Sequence, residues 1–458
     1  MRSGRSAKHI LLINPPIYDF AAYDLWLKPL GLLYVGATLR RNGYQIRLVD
    51  ALDRNHPEMR KLEKSGDRKS DGRGKFHRQI VDKPRIFNWV PRHYARYGYT
   101  EELFRNELRN GESPDAVLIT SLITYWYPGV EYAIHHVRDI YPDVPILLGG
   151  IYPTLCGDHA AHLQGVTHRI SGHGERQVID WLDAYFGIQE KYLSPAQSQP
   201  LQIPWDLYPD LTALIVLTSR GCPYRCSFCA THLLNSGFQQ RDPHVVASEI
   251  LSDASRNRTS DVVFYDDALF IRKHDHIEQI LDVTIDSGQA LRFHTPNGLF
   301  AKMIDPGLAR KMKTANFTTL RLSLETSNDS RRQNMSYKVS NSDLINALDH
   351  LEDAGYARKD MEVYAMMGIP GQTAEEVRRS LEFIHSTGAT IRLASYTPIP
   401  GTEDFRIAAA RHGLNPTDDP LLWNNTIYPL RNRVMDYDTY TDLRAYAGEL
   451  NSRLRGVN

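Results

Sequence analysis

The stretch Cys222-Pro-Tyr-Arg-Cys226-Ser-Phe-Cys229 places three of the chain's four cysteines within eight residues. Their spacing is C-x3-C-x2-C, and an apolar run over 214–218 leads into it. Cysteine thiolates hold iron–sulfur clusters, and a [4Fe–4S] cluster normally takes four of them. Three protein ligands therefore predict a cluster with one iron left open, which can bind a substrate's amine and carboxylate as well as carry electrons.

A structural zinc site is the main alternative interpretation of this motif. Such sites have four closed ligands, typically in two pairs. His232 could supply a fourth ligand, but C-x3-C-x2-C-x2-H is not a usual zinc spacing. A disulfide is less favoured, because four cysteines in 458 residues indicate a reducing compartment. The fourth cysteine, Cys156, lies 66 residues before Cys222 and is expected to be an ordinary small buried residue.

Composition limits the class of protein. A length of 458 residues predicts two or three domains, and 42% apolar residues are enough for real cores. Lys+Arg and Asp+Glu both number 54, so the net charge requires neither nucleic acid nor an acidic surface as partner. No apolar run reaches about 18 residues, so no membrane span is predicted. The apolar run at 11–13 is too short for a signal peptide, and we expect a cytoplasmic protein.

Strands and helices alternate in the first third of the chain. Apolar runs at 10–14, 45–50, 116–120 and 145–149 predict strands, and 30–42 and 129–140 predict helices. This alternation predicts an α/β domain with a Rossmann-like, doubly wound parallel sheet. Such sheets bind ligands at the carboxyl ends of their strands.

The predicted strand ends of this domain carry mostly small or polar residues. Small residues let a bulky planar ligand approach the backbone closely, although ordinary tight turns use them too. A dinucleotide site is weakly supported, because no G-x-G-x-x-G follows the first strand. The positions are Asn14, Asp50, Ser121, Thr124, Gly149, Gly150, Gly172 and Glu175.

The central part of the chain repeats a strand–helix unit six times. Strands are predicted at 213–218, 261–265, 291–294, 318–324, 361–367 and 391–396, with helices that include 245–254, 340–355 and 377–385. Six such units predict a partial (βα)6 barrel with its site at the carboxyl ends of the strands. The cysteine motif follows the first of these strands.

We therefore expect four regions: a Rossmann-like domain at 8–190, a linker at 191–212, a partial barrel at 213–402 and a helical C-terminal region at 403–458. The first domain has an insertion at 54–110. Residues 54–99 of it carry 13 Lys or Arg against 5 Asp or Glu, interleaved with aromatic residues. Three interpretations stay open: an insertion packed by its own aromatics, a lid over an anionic small substrate, or a nucleic-acid surface.

The cysteine motif resembles the signature of radical S-adenosylmethionine (SAM) enzymes. The stretches Leu-Leu-Ile-Asn-Pro-Pro, Leu-Leu-Gly-Gly-Ile-Tyr-Pro-Thr and Gly-His-Gly-Glu in the first domain resemble the cobalamin-binding domain that precedes many radical SAM barrels. Tyr-Asp-Asp-Ala-Leu-Phe, Leu-Ser-Leu-Glu-Thr, Met-Gly-Ile-Pro-Gly-Gln-Thr and Pro-Ile-Pro-Gly-Thr resemble the same cobalamin-linked group. The cobalt-ligating D-x-H-x-x-G of classical cobalamin domains does not follow Asn14, and radical SAM members of this group usually lack it.

The resemblance implies a role for each of these positions. Cys222, Cys226 and Cys229 would hold the [4Fe–4S] cluster, and SAM would chelate its open iron. SAM itself would contact Phe228, Asp266, Asp267, Glu325, Gly368, Pro370 and Gly371. Cobalamin would contact Asn14, Ser121, Thr124, Gly149, Gly150, Gly172 and Glu175. For the three carboxylates, a helix N-cap or a surface position is the alternative.

The implied reaction begins with reductive cleavage of SAM to a 5′-deoxyadenosyl radical, which removes hydrogen from an unactivated carbon. Methylcobalamin would then deliver a methyl group, while cyclisation or rearrangement without methyl transfer is the alternative. A methylthiotransferase is excluded because its second cluster needs three further cysteines, and a non-catalytic sensor would not need the SAM-facing carboxylates. The expected partners are a small-molecule or natural-product substrate and an electron donor such as flavodoxin or ferredoxin.

Overall fold

The computed structural model describes residues 8–189, 192–193, 202–335, 338–430 and 435–456. These residues form two compact units. The first contains the chain up to Ala213 together with Pro416–Leu422, and the second contains Leu214–Asn415 and the chain from Trp423 onward. Within the first unit, the hydroxyl of Tyr127 donates to both carboxylate oxygens of Asp419 at 3.1 Å. The sequence predicted 416–422 as part of a C-terminal region and carried no signal of this attachment.

The first unit is built on a parallel sheet, as the sequence predicted, with five strands where the sequence predicted four. Its strands are β1 (His9–Asn14), β2 (Gln45–Asp50), β3 (Ala116–Ile119), β4 (Ile146–Leu148) and β5 (His168–Arg169), in the order β5-β4-β3-β1-β2. The order reverses beside β1, which is where doubly wound sheets open a ligand crevice. The main helices of this unit are Leu30–Arg41, Glu101–Arg109, Tyr127–Ile140, Ile151–Leu155, Gly157–Ala161 and Gly174–Phe186.

The basic insertion forms two small antiparallel sheets together with residues 17–24, which precede it in the chain. Strands Ile17–Asp19, Ala95–Tyr97 and Arg78–Ile80 form an antiparallel sheet, and Tyr23–Asp24 pairs with Gly74–Lys75. Seven of its basic residues are paired with carboxylates, so much of its positive charge is neutralised locally. They are Arg54, Arg60, Lys61, Arg68, Arg73, Lys75 and Arg96.

The second unit is the predicted partial barrel. Its strands are β6 (Leu214–Val216), β7 (Asp261–Phe264), β8 (Arg292–His294), β9 (Phe317–Glu325), β10 (Met361–Met367) and β11 (Thr390–Ser395), each parallel to the next in chain order. Leu299–Phe300 adds a short strand beside β9. The helices are Thr231–Leu234, Pro243–Asn257, Ile277–Asp286, Pro306–Thr314, Asp329–Met335, Asn341–Asp353, Ala374–Ser386, Glu403–His412 and Tyr437–Leu454.

Alternation along β10 separates the two faces of the barrel wall. Every second side chain is fully buried, at Met361, Val363, Ala365 and Met367. The intervening Glu362, Tyr364 and Met366 are only partly buried. Because successive side chains of a strand point to opposite faces, the first set packs outward against the helices and the second lines the barrel interior.

Among the described residues, no helix has the length and apolar character needed to span a bilayer.

A tight backbone crossing closes the loop that carries the cysteines. Ser219–Arg220 pairs antiparallel with Gln239–Gln240. Immediately after this pairing, Gly221 has a φ of +77°, and a Cβ on it would lie 1.9 Å from the carbonyl oxygen of Gly237. Only glycine combines this conformation with so close an approach. Gly221 therefore determines where the cysteine loop begins.

We expect Gly221→Ala to lower the free energy of unfolding by clearly more than the matched change Gly288→Ala. Gly288 also has a left-handed φ of +68°, but no atom lies within 4 Å of where its Cβ would be. Both variants incur the left-handed penalty of roughly 1–2 kcal/mol, and only Gly221→Ala adds a backbone clash. Urea unfolding of the two variants makes the comparison. Equal losses would show that the crossing at Gly237 relaxes freely.

Candidate active site

The three clustered cysteines follow β6 on one loop. All four cysteines of the chain lie among the described residues and are unbridged. Cys226 is buried, whereas Cys222 and Cys229 are partly exposed. The backbone N–H of Cys229 donates to the carbonyl of Cys226 at 3.0 Å, which places the second and third cysteines in one turn. The N–H of Thr231 donates to the Sγ of Cys229 at 3.5 Å. The loop thus offers three thiols to a common ligand, with a donor already directed at one sulfur.

Backbone hydrogen bonds hold the far side of the loop. The N–H of Ser227 donates to the carbonyl of Met335 at 3.3 Å, and the N–H of Asp404 donates to the carbonyl of Ser227 at 2.9 Å. These bonds use two different elements, so the loop is fixed independently of any ligand. Phe228 comes next and is half-buried. Burial, the largest influence, raises the pKa of the Cys222 thiol to about 11.

Asp266 ties the end of β7 to the start of the cysteine loop. Its carboxylate accepts from the backbone N–H of Thr218 at 3.1 Å, from the Thr218 hydroxyl at 2.8 Å and from the Ser219 hydroxyl at 2.6 Å. Burial raises its pKa, and these hydrogen bonds oppose that rise. The SAM contact that the sequence predicts at Asp266 stays a prediction, and in the structure its carboxylate oxygens accept hydrogen bonds from Thr218 and Ser219.

Asp267 lies differently from its neighbour. It is exposed in the structure, yet its pKa is raised to about 6, chiefly because surrounding protein displaces water from the carboxyl group and also because Asp266 carries like charge. A hydrogen bond from Thr231 and the charge of Lys338 lower the pKa. Asp267 in turn raises the pKa of Cys222. These interactions place its carboxylate beside the cysteine loop, while the residue as a whole remains exposed.

Glu325 forms an ion pair that the sequence did not reveal. Its Oε1 lies 3.1 Å from the Nζ of Lys338, and the two side chains are only 13% and 12% exposed. Burial on its own lowers the pKa of Lys338, but the charges of Glu325, Cys226 and Cys222 outweigh burial and raise it. Lys338 lies in a polar stretch with no periodic pattern, so nothing in the sequence distinguished it from a surface lysine.

Hydrogen bonds from two side chains, Gln372 and Arg331, hold the turn that follows β10. The Oε1 of the fully buried Gln372 accepts from the backbone N–H of Gly368 at 2.9 Å, and its Nε2 donates to the carbonyl of Met366 at 3.1 Å. Arg331 donates to the carbonyls of Pro370 and Gly371 at 3.3 and 3.1 Å. A cavity of about 330 Å³ borders this turn, lined by Asn328, Ser330, Arg331, Asn334, Met335, Ile369, Pro370, Gly371, Asp404, Ile407 and Arg411.

In the first unit, the ends of β1 and β2 are occupied by a buried polar network. Asn14 donates to the Oδ1 of Asp50 at 2.7 Å, and the hydroxyl of Tyr208 donates to Oδ2 at 2.7 Å. Lys28 lies 3.0 Å from Asp53 and 4.0 Å from Asp50. Asn14 was predicted to contact cobalamin, but its amide is used inside this network. Buried polar groups need such partners, so the network also explains why Asp50 ends a strand.

The ends of β3, β4 and β5 leave more room for a ligand. Gly150 has a φ of +98°, and a Cβ there would lie 2.5 Å from the carbonyl oxygen of Ser121. A Cβ on Gly149 would meet nothing closer than 3.9 Å, and one on Gly172 would meet nothing within 4 Å. Backbone at 149 and 172 is therefore open to a bulky group. The buried Thr124 begins a short 3-10 helix after β3, and the partly exposed Glu175 lies in the first turn of the helix Gly174–Phe186 after β5.

We expect Asp266→Asn to destabilise the fold and Asp267→Asn to leave its stability almost unchanged. The first change weakens three charge-assisted hydrogen bonds in a buried site, where each is worth about 1.5–3 kcal/mol. The second removes a charge from a solvent-accessible position. Thermal unfolding of the two adjacent variants under identical conditions makes the comparison. A loss of stability for Asp267→Asn equal to that for Asp266→Asn would contradict the separate roles.

Comparison with known proteins supports this architecture. Residues 216–384 match the family model described as the radical SAM superfamily. Cytidylyl-2-hydroxyethylphosphonate methyltransferase of Streptomyces wedmorensis is 21% identical to the chain, over 90% of this chain and 84% of that protein. Because the match extends beyond the barrel, the first domain shares in the similarity.

Two solved structures resemble most of the chain in fold. The radical SAM methyltransferase TsrM from Kitasatospora setae, with tryptophan substrate and a SAM analog bound, superposes with a TM-score of 0.65 at 15% identity, covering 89% of this chain and 77% of that one. The cobalamin-dependent SAM radical enzyme OxsB, with aqua-cobalamin and SAM bound, superposes with a TM-score of 0.57 at 12% identity, covering 97% and 62%. Residues 216–384 thus form a radical SAM domain, and the chain has the fold of the cobalamin-dependent radical SAM enzymes.

Proposed function

We propose that this chain is a cobalamin-dependent radical SAM enzyme that methylates an unactivated carbon of a small-molecule substrate. The observation that carries the proposal is the cysteine loop: three unbridged thiols at the carboxyl end of the first barrel strand, with Asp267 and the Glu325–Lys338 pair beside them. Methyl transfer is supported by two of the relatives, which are methyltransferases. The open backbone at Gly149 and Gly172 supports a large cofactor on the first unit.

Cys222, Cys226 and Cys229 are the residues that would hold a [4Fe–4S] cluster. Three thiolates and an N–H donor to one sulfur fit that group, because clusters of this type are bound by thiolates and adjusted by hydrogen bonds to sulfur. The anchors at Ser227 keep the cysteines in place without a ligand. Four protein thiolates would be needed for a closed site, and Cys156 lies in the other unit.

The remaining groups of the barrel suit the parts of SAM. Asp267 presents an accessible carboxylate for the ammonium group, and Lys338 presents a cation for the carboxylate. Phe228 and the turn Gly368–Gly371 offer an aromatic ring and rigid backbone for adenine or ribose. Asp266 serves the site by holding the loop, because its oxygens already accept from Thr218 and Ser219.

In the first unit, the carboxyl ends of β3, β4 and β5 would bind cobalamin. Gly149, Gly150 and Gly172 keep side chains away from that edge, and Ser121 is held by a hydrogen bond from its Oγ to the carbonyl of Ile123 at 3.1 Å. A bound cluster would supply the electron for reductive cleavage of SAM, and bound cobalamin would carry the methyl group, so the protein contributes binding and orientation. The electron itself must come from a donor such as flavodoxin or ferredoxin.

We expect Cys226→Ala to abolish the release of 5′-deoxyadenosine from SAM under reducing conditions. The variant removes one of three cluster ligands, so iron and sulfide content should fall as well. Cys156→Ala is the matched control, because Cys156 is equally a buried free thiol but lies in the other unit. Chromatography of the anaerobic reaction gives the yield. A normal 5′-deoxyadenosine yield from Cys226→Ala would overturn the cluster assignment.

Electron paramagnetic resonance of anaerobically reconstituted, partly reduced protein with hydroxocobalamin tests the second cofactor. We expect a [4Fe–4S]⁺ signal together with a protein-bound Co(II) signal that lacks nitrogen superhyperfine splitting, since no D-x-H-x-x-G motif follows β1. Product analysis with the natural substrate would then show a gain of one methyl group. A cluster signal with cobalamin left free in solution would reject the cobalamin assignment and indicate SAM-only cyclisation or rearrangement.

A further inference from the structure

The ion pair between Glu325 and Lys338 lies where it can act on the cluster electrostatically. We propose that the two charges of this pair act with opposite sign on the cluster bound by the cysteine loop, so that each compensates the effect of the other on the cluster's reduction potential. The proposal rests on the proposed function, because it requires the cluster. It adds a role that binding of SAM does not require, since a cation or carboxylate can bind SAM without controlling the potential.

Packing places Lys338 close to the cysteine loop. Its Nζ lies 4.5 Å above the ring of Phe300. The rings of Phe300 and Tyr224 meet in a T-shaped contact with their centroids 5.1 Å apart, and Tyr224 stands two residues from both Cys222 and Cys226. The thiols of those two cysteines also interact electrostatically with the ammonium group. The cation therefore faces the loop on the side of its first two cysteines.

The backbone at Glu325, one member of the pair, has a strained conformation. Glu325 ends β9 with a φ of +67°, a conformation that glycine favours and glutamate rarely adopts. The register between β9 and β10 shifts at the same point, between Ser323 and Glu325. Strained residues at the edge of a site persist only where surrounding structure holds them, and here the strain accompanies the contact of the carboxylate with Lys338.

Burial makes both charges effective. Side-chain exposures of 13% and 12% limit screening by water and salt, so each charge acts on a nearby cluster more strongly than a surface charge does. The potential of an iron–sulfur cluster depends on the net charge and solvent exposure around it. A positive charge favours the reduced, more negative cluster, whereas a negative charge disfavours it. The pair as a whole changes the potential little, and loss of either member leaves an uncompensated charge.

The decisive experiment measures the cluster midpoint potential by EPR-monitored redox titration of reconstituted full-length protein without SAM. We expect Lys338→Met to shift the potential to more negative values and Glu325→Gln to shift it to more positive values. The double variant, which is again neutral, should return toward the wild-type potential. Lys338→Arg keeps the charge and should preserve the wild-type potential, which separates charge from side-chain packing.

Two controls are matched to the pair. Lys313→Met removes a lysine that also lies 4.5 Å above an aromatic ring, that of Tyr356, away from the cysteine loop. Glu278→Gln removes a carboxylate that is 15% exposed and paired with Lys311. Both should leave the potential unchanged. If one single variant does not load a cluster, the other single variant still tests the sign of the shift, and the double variant tests whether the two charges compensate each other.

The possible results separate this inference from the proposed function. Intact clusters in Lys338→Met and Glu325→Gln with unchanged potentials, or with shifts of the same sign, would overturn the role of the pair and leave the cluster assignment standing. A double variant that shifts as far as a single one would also overturn it, because a neutral site should behave like the wild type. Failure of the wild-type protein to bind any cluster would instead reject the proposed function.

Discussion

The site of this protein depends on one buried carboxylate. Asp266 stands at the end of β7 and accepts three hydrogen bonds from Thr218 and Ser219, the residues that lead into the cysteine loop. A buried carboxylate without partners would be strongly unfavourable, so these bonds form together or the site does not form. Two neighbouring strands are thereby joined at the edge where the chemistry takes place, and the closing contact at Gly221 then sets the path of the loop.

Two adjacent residues at this edge differ in their interactions. The carboxylate of Asp266 accepts hydrogen bonds from Thr218 and Ser219 and so holds the loop. Asp267 is exposed, and its negative charge raises the pKa of Cys222. Around the cysteines, the accessible Asp267 and the buried Glu325–Lys338 pair supply charges of both signs within a small region. Such an arrangement suits a zwitterionic ligand, because each end of the ligand meets an opposite charge.

In both units the candidate binding residues lie at the carboxyl ends of parallel strands. The two units differ in which of those strand ends are occupied by protein side chains. In the barrel, the carboxyl ends of β6, β7, β9 and β10 all contribute groups to the site. In the first unit, the ends of β1 and β2 are filled by the network of Asn14, Asp50 and Lys28, and only the ends of β3, β4 and β5 leave the backbone open. The open backbone of the first unit therefore lies in one half of that edge.

The amino-acid sequence by itself determined the two α/β units, the six barrel strands and the three cysteines. These features depend on local periodicity and on close spacing, which are properties of short stretches of chain. The sequence did not reveal β5, whose two residues are too few to form a pattern, or the attachment of 416–422 to the first unit. Tertiary structure alone assigned different roles to Asp266 and Asp267, committed Asn14 to a buried network and brought Lys338 to Glu325. Those outcomes depend on which atoms meet across distant parts of the chain, and hydrogen-bond partners and burial are decided only when the strands come together.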